Sequence, residues 1–154
     1  LFAFSTSSSA ATIPVTLRTV NQDLGVNQNV ASFVVPVGAT INMDGTAIMQ
    51  GLATVFIAQM SGIDLTLFQY IQVVLLAVAT SIGTAAVPSA GTITLIIILQ
   101  QFNLPLEAIG IILAVDRVLD MIRTSVNVTG DAAIACIVAK TENQLDENIF
   151  NSKA

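Results

Sequence analysis

The chain has 154 residues, of which 54% are hydrophobic and only 10% charged, with a formal net charge of −5. Soluble domains carry about 25% charged residues, so this chain has too little polar surface to cover itself in water, and lipid is the solvent its composition points to. The five basic residues are spread singly, leaving no stripe to neutralise phosphates, which excludes a nucleic-acid partner.

Leu1 to Ala11 lacks the charged start of a signal peptide, and with Leu1 in first place the chain reads as a fragment of a longer protein. Ser5, Ser7, Ser8 and Ser9 precede a helix-compatible stretch that carries Pro14 near its head and ends near Asp23. Serines at a helix start can cap it.

Val30 to Ser61 is apolar and long enough, at about 1.5 Å per residue, to cross about 30 Å of hydrocarbon. Asn42-Met43-Asp44-Gly45-Thr46 interrupts it halfway, with Pro36 and Gly38 one to two turns earlier. Irregular backbone at that depth survives only where it is buried in protein or lines a wet cavity.

No charge lies between Asp64 and Glu107. Thr66 to Thr80 and Thr92 to Asn103 are apolar runs that reach about 22 and 18 Å as helices, so neither crosses alone. The stretch between them, Ser81 to Gly91, is rich in small residues, contains Pro88 and reads as a turn at mid-depth. Two half-length helices joined by such a turn predict a re-entrant hairpin. The serine cluster and Pro14 suggest the second arm of a similar one, a weak internal repeat.

In Glu107 to Lys140, the residues Asp116, Asp120, Arg123, Asn127 and Asp131 step by four, three, four and four positions. At about 100° per residue they fall within about 80° of one another, with Thr124 beside them and Ile, Leu, Val and Ala elsewhere. Cys136 lies in an apolar run and reads as a small buried hydrophobe; as the one cysteine it permits no intrachain disulfide. Arg18 and Lys140 flank the apolar region and fall on the same, cytoplasmic, side if two crossings separate them.

An uncompensated charge on an apolar span costs several kcal/mol, so this stripe must face the protein interior and find partners. A purely structural reading pairs Arg123 with Asp116 and Asp120 to hold helices together. Three acids, an arginine and an amide exceed what one pair requires, which points to a ligand site. The planar fork of Arg123 matches a carboxylate, so an anionic ligand is expected. Asp120 can balance Arg123 or accept an ammonium group, and both together describe an amino acid. Asp131, Asn127, Asn42 and Asp44 supply hard oxygen ligands for small cations. No histidine is present for proton traffic near neutral pH. A half-helix beginning near Ser89 would aim free amides and a positive dipole end at a carboxylate.

Four motifs, Ser7-Ser8-Ser9-Ala10-Ala11-Thr12-Ile13-Pro14, Asn42-Met43-Asp44-Gly45-Thr46, the run from Ser81-Ile82-Gly83-Thr84 to Gly91, and Asp120-Met121-Ile122-Arg123-Thr124 with Asn127-Val128-Thr129-Gly130-Asp131, occur in this order. They resemble the dicarboxylate/amino acid:cation symporter family, the glutamate transporters, over nearly the whole chain. The resemblance implies an all-α membrane protein of broken transmembrane helices and re-entrant helical hairpins, here the C-terminal half of a transport domain. Residues 1–28 would be the tip and second arm of the first hairpin, 29–62 broken transmembrane helix seven, 63–105 the second hairpin, 106–140 transmembrane helix eight and 141–154 a polar cytoplasmic tail.

Such proteins are multi-pass homotrimers of the cell membrane, surrounded by lipid. They couple sodium entry to uptake of an acidic amino acid by an elevator motion and are not enzymes. By resemblance, Arg123 holds the side-chain carboxylate of the substrate and Asp120 its amino group, while Thr46, Thr124, Asn127 and the backbone at Ser9, Val87 and Gly91 hold the rest. One sodium would sit among Gly38, Asn42, Asn127 and Asp131, and a second among Thr40, Met43, Ser81, Ile82 and Thr84. Asp44 would contribute to a third site, whose other ligands belong to a helix outside this chain.

The chain departs from the family pattern in places. Archaeal members place an arginine at the position of Ser7 and animal members one at Met121; this chain has neither, and Arg117 is the candidate to compensate. Gln50 replaces the glutamate that resembles the proton carrier of animal members, so sodium without that proton step is expected. Dicarboxylate carriers tend to lack the aspartate matching Asp120, so an acidic amino acid is favoured over the alternative, a C4-dicarboxylate. Two other classes stand beside this one. An intramembrane aspartyl protease would use Asp131 of Thr129-Gly130-Asp131 with Asp116 or Asp120, and a channel or scaffold would lack saturable uptake.

Overall fold

The computed structural model describes residues 1–152; positions 153 and 154 of the expected tail lie outside the described residues. The chain runs α1 (Phe2–Thr6), α2 (Ser9–Gln22), α3 (Gln28–Ile41), α4 (Asp44–Met60), α5 (Leu67–Ile82), α6 (Ala90–Gln101), a 3-10 turn (Leu106–Ala108), α7 (Ile109–Thr141) and α8 (Glu147–Ser152). There is no strand among the described residues; an isolated antiparallel bridge joins Val26 to Leu145.

Local chemistry sets the breaks. Ser7 closes α1 in the left-handed region (φ 53°) and Ser8 opens α2, its Oγ accepting from the Ala11 N–H at 3.2 Å. Pro14, inside α2, lacks the N–H that would reach Ala10 O. Between α3 and α4 only Asn42 and Met43 leave helical geometry, with ψ of 71° and 50°. Thr66 and Gln69 form a reciprocal capping box that starts α5.

The turn between α5 and α6 is tighter than the sequence suggested, covering residues 83–89. Ser81 and Ile82 continue α5, Ser81 Oγ bonding back to Val78 O at 2.8 Å, and α6 starts two residues early, behind Ser89 at φ 61°.

The 33 residues of α7 make a rod of about 50 Å, against which α1, α2, α3, α4 and α6 pack, while α5 lies on α4 and α6. One apolar cluster joins α4, α6 and the start of α7 through Ile57, Leu95, Leu99 and Ile112. Another joins α2, α3 and the end of α7 through Val20, Val35, Ala135 and Ala139. Between them along α7 lie Asp116, Asp120, Arg123, Thr124, Asn127 and Asp131, all buried. The polar stripe is thus a layer closed at both ends by apolar packing.

The chain after α7 folds back onto the α2–α3 connection. Asn27 N–H donates to Gln144 O (3.0 Å) and Asp146 N–H to Gly25 O (2.8 Å), and Lys140 pairs with Glu147. Gly25 sits at φ 72°, where a Cβ would meet Asp146 O at 2.5 Å, so this crossing requires glycine.

Among the described residues no helix is long and apolar enough to cross a membrane. The outer surface nevertheless carries large apolar side chains, among them Ile48, Leu52 and Phe56 on α4 and Phe68, Ile71, Val74 and Leu75 on α5.

Candidate functional site

The unwound pair between α3 and α4 delivers side chains to α7. Asn42 Nδ2 donates to Asp131 Oδ1 at 3.1 Å. Asn127 Oδ1 accepts from the Gly45 N–H (2.8 Å), one of the free amides at the start of α4, and Asn127 Nδ2 donates to Thr46 Oγ1 (3.3 Å) and reaches Met43 Sδ (3.2 Å).

Glycines permit this approach. A Cβ on Gly38 would lie 2.5 Å from Asp131 Oδ1, and one on Gly130 would lie 2.7 Å from Asn42 Nδ2 and 3.0 Å from Asp44 Oδ2. Gly38, Asn42, Asp44, Asn127 and Asp131 are therefore gathered about the break. Of the other expected cation ligands, Met43 is buried beside Asn127, whereas Thr40 and Ser81 turn their hydroxyls to Val37 O and Val78 O of their own helices, Thr84, in the turn after α5, donates to Thr80 O and lies 3.0 Å from Thr94 Oγ1, and Ile82 is exposed.

The two loop tips touch. Ser8 Oγ donates to Ala86 O at 2.9 Å, and the Ala10 N–H reaches the same carbonyl at 3.3 Å. Beneath them Arg123 pairs with Asp120, and Asp120 Oδ2 accepts from the Ser89 N–H at 2.9 Å. Gly91 lies so close that a Cβ would collide with the Arg123 guanidinium.

Ser9, Thr46, Val87, Gly91, Asp120, Arg123, Thr124 and Asn127 all border one narrow space, together with Ser7 and Met43. Its volume, about 10 Å³, holds no more than one water. Arg123 Nη1 and Ser7 Oγ are buried there without a hydrogen-bond partner. Buried polar groups are almost always paired, so a free guanidinium donor aimed into this space marks where an acceptor belongs.

Charge points to cations as well. Three buried carboxylates, Asp116, Asp120 and Asp131, share α7 with one buried guanidinium, Arg123, which pairs with Asp120. Low-dielectric surroundings make uncompensated carboxylates costly, and cations held by the oxygens near Asp131 would offset the excess.

Several contacts were not foreseen. Asp116, read from the sequence as a structural partner of Arg123 or as one acid of a protease pair, instead accepts from Ser89 Oγ at 2.6 Å and from Thr92 Oγ1. Gln50, fully buried, ties α4 to both arms around the second turn. Its Nε2 donates to Gly91 O (3.1 Å) and Thr94 Oγ1 (2.7 Å), while its Oε1 accepts from Thr80 Oγ1 (2.9 Å). An amide inside the apolar run of α4 was the available signal. Arg117 stands exposed on α7 and does not border this narrow space.

Residues 1–141 match the sodium:dicarboxylate symporter family. The chain belongs to that family. It is 51% identical to human excitatory amino acid transporter 2 over 136 residues, which is 88% of this chain and 24% of the relative. To an excitatory amino acid transporter of Caenorhabditis elegans it is 50% identical over 136 residues, 88% of this chain and 27% of the relative. To mouse excitatory amino acid transporter 3 it is 49% identical over 154 residues, 99% of this chain and 29% of the relative. The chain thus spans about a quarter of the length of the curated relatives it matches.

In this symporter-family chain the closeness of α4 to α7 is directly testable. A Cβ on Gly45 would run into the backbone carbonyl of Arg123, which cannot swing aside as a side chain can. Gly45→Ala is expected to destabilise the packing by about 1–3 kcal/mol, seen as a lowered midpoint of thermal unfolding of the full-length parent in detergent. An unchanged midpoint would mean that α4 and α7 do not pack this closely.

Proposed function

We propose that this chain forms the substrate- and ion-binding part of a secondary active symporter, a transporter and not an enzyme, that couples sodium entry to uptake of an acidic amino acid, aspartate or glutamate. The observation that carries the reading is the unpartnered Nη1 of Arg123, buried beside Asp120 in a space bordered by thirteen residues from four helices, two loop tips and the α3–α4 break. The names of the family and of the relatives, which speak of sodium, dicarboxylates and excitatory amino acids, agree with it.

The substrate carboxylate takes the fork of Arg123, and the ammonium group replaces the guanidinium at Asp120. Because this narrow space is far smaller than an amino acid, the tip between α5 and α6 must move to admit it. Sodium, as co-transported cargo, binds to oxygens about the Asn42–Met43 break and Asp131, and a second set comprises Thr40, Met43, Ser81, Ile82 and Thr84. Sodium and substrate then raise each other's affinity reciprocally. Gln50, a neutral amide held by three partners, carries no proton.

In the membrane reading, α1 and α2 belong to the first re-entrant hairpin, α3 and α4 form broken helix seven, α5 and α6 the second hairpin and α7 helix eight, followed by a cytoplasmic tail. The apolar outer faces of α4 and α5 meet lipid and further segments of the longer protein, a homotrimer of the cell membrane in which this part moves as an elevator.

Uptake of labelled L-aspartate by the full-length parent in proteoliposomes is the test. Saturable uptake that requires an inward sodium gradient, fails in choline and is poorly competed by succinate is expected. A preference for succinate would mark a C4-dicarboxylate carrier instead, and non-saturable flux a channel. The protease alternative requires two carboxylates sharing a proton. Here Asp120 is held by Arg123 and Ser89, Asp116 by Ser89 and Thr92, and Asp131 by Asn42.

A further inference from the structure

We infer that Asp116 is a positioning residue that clasps the α5–α6 tip shut through the hydroxyls of Ser89 and Thr92, an inference that rests on the transport reading above. Ser89 opens α6 in the left-handed region, φ 61° and ψ 1°, a conformation that side chains other than glycine adopt only when something holds them. Two carboxylates of α7 do so. The Ser89 N–H donates to Asp120 Oδ2 (2.9 Å), and its hydroxyl donates to Asp116 Oδ2 (2.6 Å). The Thr92 hydroxyl, one turn into α6, donates to Asp116 Oδ1.

Both oxygens of Asp116 are therefore committed to the tip. Asp116 is 5% exposed, Arg123 pairs with Asp120 instead, and Arg117, next in sequence, is exposed. A buried carboxylate without its donors is strongly disfavoured, so opening the tip is opposed by the stranding of Asp116 until water reaches it. Asp116 does not border the narrow space beside Arg123, so it acts on the ligand only through the tip.

The division of labour with Asp120 follows from the geometry. Asp120 serves Arg123 and the Ser89 N–H at once, and an arriving ammonium group competes for the same oxygens. Asp116 has no such competitor. Its hold on Ser89 and Thr92 persists while Asp120 changes partners, and it sets the population of the closed tip in which ligand is retained.

The experiment uses the full-length parent and two readouts. Amide hydrogen exchange over residues 83–92, followed by mass spectrometry, reports tip opening independently of transport. Labelled-aspartate uptake gives KM and maximal rate separately. Asp116→Ala and the double variant Ser89→Ala/Thr92→Val are each expected to speed tip exchange, and to raise KM, on the order of tenfold, with a much smaller change in maximal rate and unaltered exchange in α3.

In the background of the double variant, Asp116→Ala is expected to add less than about twofold, because its partners are already gone. Wild-type tip exchange in Ser89→Ala/Thr92→Val, or a full additional effect of Asp116→Ala in that background, would overturn the clasp. If the wild-type parent shows no sodium-dependent uptake, the transport reading fails, and the exchange rates still decide for or against the clasp.

Discussion

Replacing Arg123 by lysine or alanine is expected to weaken acidic amino acid binding by about 2–5 kcal/mol, roughly a thirtyfold to several-thousandfold loss. Arg123 meets Asp120 through one nitrogen and keeps Nη1 buried and unpartnered, an arrangement that a planar fork provides and a single ammonium does not. Lysine retains the positive charge but presents no second donor in fixed geometry. Alanine also leaves Asp120 buried without its cation, and removes the group for which Gly91 makes room. Asp120 would remain available to an ammonium group, so Arg123→Ala is expected to shift preference toward neutral amino acids. Competition of labelled aspartate by unlabelled aspartate, succinate and serine measures both effects. A wild-type aspartate KM in Arg123→Lys would show that the fork does not hold the carboxylate.

The stripe on α7 was legible because steps of four, three, four and four admit only one helical face, and a polar face among Ile, Leu, Val and Ala has to be buried. The break at Asn42 and Met43 was legible for a related reason, since polar side chains and a glycine halfway along an apolar run mark backbone that leaves the helix. What joins the elements was harder to read. The start of α6 is set by a serine in a conformation usually left to glycine, so the sequence pointed past it to Thr92. The hydrogen bonds of Asp116 span 27 and 24 residues, and nothing local to Ser89 or Thr92 announces them. Gln50 was noticed for the residue it replaces, yet its place in the fold comes from three partners on α5 and α6. Composition pointed to lipid, although helix length did not: α7 interrupts its apolar surface with charge, and α3 and α4 divide one long run between them.

Asp131→Asn is expected to raise the sodium concentration for half-maximal uptake by about tenfold to a hundredfold, the loss of one charged interaction of about 1.5–3 kcal/mol. Asp131 is buried, accepts from Asn42 and lies against Gly38, so its carboxylate is held in place before any cation arrives. Asparagine preserves size and one oxygen but removes the charge that attracts sodium, leaving fewer buried carboxylates for cations to offset. Gly38→Ala should act at the same place by a different cause, its methyl group displacing Asp131 Oδ1 rather than neutralising it. Because sodium and substrate are coupled reciprocally, aspartate KM should rise in both variants at low sodium and return toward the wild-type value when sodium saturates. Lysine or alanine at position 123 should show no such recovery. Uptake measured across a grid of sodium and aspartate concentrations separates the two patterns, and a sodium dependence left unchanged by Asp131→Asn would place the cation elsewhere in the protein.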